Sequence, residues 1–176
     1  MQTVEELEQE FWNKKVNQRF KNLKVSYIVL LVTTSIYLIG GIAIMFPGKN
    51  AVLTVILSTT LLFSSVVGVV MLVLGMINCS FIQRYNPDRN IKYHRITFIA
   101  AITTVCTFFL LSIILVFIQV GYHRGKSPIS NNSFIAIRAV TSIALVGLLI
   151  TYSIGLKKVM DILKNNEKIV KKDPIE

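Results

Sequence analysis

The sequence predicts an all-α membrane protein: a four-transmembrane-helix antiparallel bundle with N-terminal and C-terminal amphipathic cytoplasmic helices. Composition is the first observation behind this. The chain of 176 residues is 53% hydrophobic, has a mean hydropathy of +0.61 and is only 16% charged, against about 25% charge in ordinary soluble domains. The second observation is where charge is missing. Val25 to Gly48, Asn50 to Gln83, Ile96 to Tyr122 and Ala139 to Leu156 contain no Asp, Glu, Lys or Arg. About 20 apolar residues cross the hydrocarbon as a helix, so spans are expected over 25–46, 51–82, 96–120 and 134–156. The third is the placement of Lys and Arg, which sets orientation. Lys14, Lys15, Arg19, Lys21 and Lys24 precede span one, and Arg84, Arg89, Lys92 and Arg95 separate spans two and three. Lys157, Lys158, Lys164, Lys168, Lys171 and Lys172 follow span four, leaving Lys49, Arg124, Lys126 and Arg138 for the opposite side. Fifteen against four, with an even number of spans, predicts that both termini are cytoplasmic.

Residues 1–24 are expected to form a cytoplasmic amphipathic helix. Thr3 and Glu6 have the spacing of a capping box, and Val4, Leu7, Phe11, Val16, Phe20 and Leu23 recur at helical intervals. Such a face rests on lipid or on the protein's own cytoplasmic loop, or binds a partner. The segment carries nine charges and no small-residue cleavage site, so span one is expected to be its own targeting element.

The domain of four spans covers 25–156. Pro47-Gly48-Lys49-Asn50 turns the chain after span one, and so short a connection joins adjacent antiparallel helices. Span two reaches about 48 Å at 1.5 Å per residue, which exceeds the hydrocarbon. It is expected to emerge on the cytoplasmic side and carry Asn78, Cys79 and Ser80 with it. Cys79 is therefore a candidate for reversible palmitoylation, against the alternative of a small packing residue. Tyr85-Asn86-Pro87-Asp88-Arg89 turns the chain again. Asn131-Asn132-Ser133 is an N-glycosylation triplet, but Asn131 lies too close to span four for easy access by the transferase. The tail, 157–176, is expected to be helical at first.

Little in these spans supports catalysis. They contain no Asp, Glu, Lys or His, the groups that mark functional positions inside a membrane because they are costly there. His94 and His123 fall on opposite sides of the bilayer and cannot share a zinc ion. Cys79 and Cys106 have no base nearby in sequence to activate them. No enzyme activity, cofactor or metal is expected. The net charge of +10 flanks the spans, where topology and anionic headgroups on the cytoplasmic side explain it; nucleic acid is not an expected partner.

Packing chemistry is what the spans do show. Thr60, Ser64 and Gly68 in span two recur every four residues, with Gly75 extending a similar face, and Ala144, Gly147, Thr151 and Gly155 in span four follow a three-or-four rhythm. Small residues at this spacing let helix backbones approach closely, either within the bundle or at a seam between subunits. Arg138 interrupts the apolar run of span four. Counted from Ala139, the span still rises about 27 Å, so Arg138 is expected to anchor at the outer interface by snorkelling. The alternatives are a partner in another chain and a ring of arginines at the mouth of an oligomeric pore. The function expected is therefore a non-catalytic, multi-pass membrane-organising protein or accessory subunit, in a homo-oligomer or larger membrane complex. The alternative is a homo-oligomeric channel with Arg138 near its outer mouth. No motif assigns the chain to a family.

Overall fold

The fold was obtained as a computed structural model, which describes residues 4–45, 51–85, 91–123 and 131–172. It is all-helical. The four helices are α1 (Val4–Met45), α2 (Ala51–Tyr85), α3 (Lys92–His123) and α4 (Asn131–Lys172). Long apolar runs take this form because a helix pairs every backbone N–H and C=O internally, which lipid requires. Among the described residues, three helices are long and apolar enough to cross a membrane, over Glu6–Gly40, Thr59–Arg84 and Ala139–Asn166. The expected third span lies within α3, and the side chains of most of its second half fall outside the described residues.

Side-chain pairs between the helices fix their directions. Arg19 meets Asn78, Gly68 faces Thr33, and Tyr37 meets Ser65, so rising numbers on α1 match falling numbers on α2. Asn17 meets Asn166 while Tyr27 meets Tyr152, which makes α4 antiparallel to α1 as well. Phe98 packs on Gly75 and Arg95 bonds Gln83, so α3 runs antiparallel to α2. Backbone neighbours are α1 with α2 and α4, and α3 with α2 and α4. The diagonal pair α1 and α3 is joined only through long side chains that reach across the centre.

Two boundaries expected from sequence are not breaks in the chain. The helix α1 runs through Lys24-Val25 and α4 runs through Leu156-Lys157 without interruption. At 42 residues each, both rise about 63 Å, roughly twice the hydrocarbon thickness. Lys, Glu and Asn interrupt apolarity there but not helicity, since nothing in those stretches is a Pro or Gly breaker. The apolar positions expected to line the first helix divide in two. Val16, Phe20 and Leu23 are buried in the common core, whereas Leu7 and Phe11 are exposed.

Among the described residues, burial is concentrated at the end where the basic residues gather. The core draws on residues between Val16 and Leu30 of α1 and between Leu72 and Ile82 of α2, on Ile91 just before α3 with Phe98 and Ala101 of α3, and on Leu148, Tyr152 and Val159 of α4. Toward the other end large apolar side chains point outward, among them Phe63 at 72%, Leu110 at 61% and Ile143 at 72% exposure.

Candidate functional site

The centre of the basic end is built from one aromatic residue of α1, two rings and a histidine from α3 and α4, and two glycines. Tyr27 is fully buried and stacks on Phe98 of α3 at 5.1 Å between ring centroids. Its ring also approaches Tyr152 of α4 at 6.3 Å. Both glycines make room for these rings. A Cβ added at Gly155 would stand 2.6 Å from the Tyr27 ring, and one added at Gly75 would run into Phe98. The layer therefore reads Gly75, Phe98, Tyr27, Gly155 across α2, α3, α1 and α4. Aromatic pairs of this kind contribute about 0.5–1.5 kcal/mol each beyond their buried area.

A polar contact closes the layer. Tyr27 Oη and His94 Nδ1 lie 3.0 Å apart and share one hydrogen bond, whichever tautomer the neutral ring adopts. His94, in the first turn of α3, is 1% exposed. Burial, and to a lesser degree the nearby Lys158 ammonium, push its imidazole down to about 4. The ring is therefore neutral at physiological pH, as a buried group facing a cation should be.

Cations form an outer tier around this core. Lys158 Nζ sits 3.6 Å from the centroid of the Tyr93 ring, a cation–π contact that ties α4 to α3 beside His94. The guanidinium of Arg19 donates to Asn78 Oδ1 at 3.2 Å and lies 4.6 Å from the Phe81 ring. Asn78 itself is 4% exposed, so this charge-assisted bond satisfies a buried amide. Arg95 Nη1 donates to Gln83 Oε1 at 3.2 Å across the α2–α3 connection. These contacts position side chains and join helices. Among the residues described there is no group of three or more His, Cys, Asp or Glu that would hold a metal.

The small residues expected to form seams separate into inner and outer sets. Ser64, Gly75 and Gly155 are buried between helices of this chain, and Gly68 faces Thr33 Oγ1 at 3.7 Å. Thr60 is exposed, Ala144 and Thr151 are half-buried, and Gly147 is exposed with nothing within 4 Å of an added Cβ. Hydroxyls in these helices are returned to their own backbones: Thr60 to the Ile56 carbonyl at 2.9 Å, Thr104 to Ala100 at 2.7 Å, Thr151 to Gly147 at 2.7 Å. This satisfies them in lipid.

Cys79 is fully buried in the core of the basic end. Arg138 and Asn131 lie on the α4 backbone, and their side chains are outside the described residues. Sequence reasoning did not single out Tyr27, Phe98 or Tyr152, and it assigned His94 to a loop. The available signal was the pair Gly75 and Gly155, since a glycine buried in a helix interface leaves room either for a close backbone approach or for a bulky neighbour.

The fold and the site define an all-helical protein with three helices able to cross a membrane and a locked polar–aromatic centre at its basic end. Comparison with protein families, with curated proteins and with solved structures finds no match.

Proposed function

We propose that the chain is a non-catalytic, four-span integral membrane protein with both termini cytoplasmic, acting as a membrane organiser or accessory subunit that presents a helix face to another transmembrane helix. The observation that carries this reading is the outer face of α4. Val140, Ile143, Ile150 and Ile154 are 63%, 72%, 57% and 46% exposed, and Gly147 lies open among them. The intervals 140, 143, 147, 150, 154 alternate three and four, the spacing of a seam that receives a second helix at a shallow crossing angle. A glycine on a face that meets only lipid gives up contact area. On a face that meets a helix it allows close backbone approach, the main attraction available between spans.

Gentle extraction followed by crosslinking and size analysis tests this. A self-associated or partner-bound species is expected, and Gly147→Leu is expected to dissociate it while leaving the thermal stability of the single chain unchanged. A monodisperse monomer with no copurifying protein would sink the reading. Solute flux through reconstituted vesicles, altered by Arg138→Gln, would replace it with the channel.

A further inference from the structure

We propose that the groove on the α1–α4 seam at the basic end binds the headgroup of an aminophospholipid, a phosphate with a primary ammonium beyond it. The groove is a shallow, open one of about 330 Å³. Its apolar lining is Leu31 of α1 with Leu156 and Met160 of α4. Its rim is polar, and all the polar groups lie on one face of α4, namely Ser153, Lys157, Asp161 and Lys164. These intervals of four, four and three residues place them in a column.

The order in that column matches a phospholipid seated in a bilayer. The apolar run of α4 ends at Leu156, so Ser153 lies just inside the hydrocarbon boundary and Lys157 at it. Asp161 stands one turn further out, about 6 Å along the axis at 1.5 Å per residue. A lipid whose acyl chain lies along Leu31 and Leu156 brings its phosphate to the Lys157 ammonium and its own ammonium to the Asp161 carboxylate. Ser153 donates its proton to the Leu149 carbonyl at 2.8 Å, so it supplies space at the glycerol level and no donor. Lys164 offsets the carboxylate and keeps the groove from repelling the phosphate. Lys158, the next residue on α4, is engaged on the Tyr93 ring.

Asp161 decides the class of lipid. An anionic headgroup with no ammonium would set its charge against the carboxylate. A quaternary choline has no N–H to donate to it and is bulkier. The inference rests on α1 and α4 crossing a bilayer and is independent of the assembly proposed above.

The test uses the full chain, purified in detergent and titrated with phosphatidylethanolamine, phosphatidylcholine and phosphatidylglycerol of the same acyl chains, with bound lipid counted by native mass spectrometry. Phosphatidylethanolamine is expected to bind about threefold more tightly than either of the others, the size an exposed ion pair supplies. Asp161→Asn should erase its advantage over phosphatidylcholine, and Lys157→Gln should weaken both alike. Both side chains are exposed, and an unchanged unfolding temperature confirms that the variants fold. Equal binding of the ethanolamine and choline lipids, preference for phosphatidylglycerol, no retained lipid, or an Asp161→Asn variant that keeps the preference each overturns the proposal. Carbonate extraction of membranes separately reports whether the chain is integral, so loss of that premise is distinguishable from loss of the site.

Discussion

Tyr27 Oη stands 3.0 Å from His94 Nδ1, joining two helices that have no backbone contact with each other. The Tyr27 ring also stacks on Phe98 and its hydroxyl lies by Thr97 of α3, so this one side chain carries much of the diagonal of the bundle. Tyr27→Phe keeps the ring on Phe98 and removes the bond, leaving His94 Nδ1 buried without this partner. A loss of about 1–3 kcal/mol is expected, the desolvation cost of an unmet polar group. Thermal unfolding of the purified variant in detergent measures it, and a melting temperature equal to that of the parent would show that the bond does not stabilise the fold.

The same histidine makes stability depend on pH. Its folded value of about 4 lies below the usual value of about 6.5, so between these limits the unfolded chain binds the proton and the folded chain does not. Stability is then complete above about 6.5, falls as the pH drops toward 4, and levels off below. The groups facing the ring are the Tyr27 phenol from α1, the Lys158 ammonium from α4 and the adjoining Tyr93 ring. The full effect is at most about 3 kcal/mol. The difference in unfolding temperature between parent and His94→Gln, followed from pH 7 to 4, should shrink as the pH falls. A difference that stays constant would contradict a buried neutral ring.

The glycines test the packing of the central layer. Gly155→Ala and Gly75→Ala each drive a methyl group into an aromatic ring that is itself enclosed. Overpacking of this kind costs about 1–3 kcal/mol. Gly147→Ala meets open space and should leave the single chain within about 0.5 kcal/mol of the parent, as surface changes do. Unfolding midpoints of the three variants, measured side by side, check the contrast. Equal effects at all three positions would mean that Tyr27 and Phe98 do not occupy the spaces over Gly155 and Gly75.

The helices were legible in the sequence because excluding charge from hydrocarbon is energetically strong and leaves long unbroken runs. What lay hidden depended on which helices are neighbours. The apolar pattern of 25–46 does not reveal that Tyr27, rather than Tyr37, faces inward, and Gly75 and Gly155 look like Gly147 until a ring is placed over two of them. His94 was assigned to a loop because charge counting starts the span at Ile96, whereas helix α3 starts at Lys92 and carries the histidine into the core. The continuity of α1 and α4 past the membrane boundary was equally hidden, since Lys, Glu and Asn are polar markers and acceptable helix residues at once.

Cys79 closes the comparison between the two cysteines. Its thiol is enclosed, with no exposed surface, whereas Cys106 is exposed on α3. Reaction with a thiol reagent requires access as well as thiolate character. A small, membrane-permeant maleimide applied to the folded protein is therefore expected to modify Cys106 and to reach Cys79 only after denaturation. Thioester-specific acyl exchange on protein from its native membrane should likewise find no fatty acid on Cys79. Rapid labelling of Cys79 in the folded state, or a hydroxylamine-sensitive acyl group there, would require α2 to part from the core at the basic end, and with it the Arg19 to Asn78 bond one residue away.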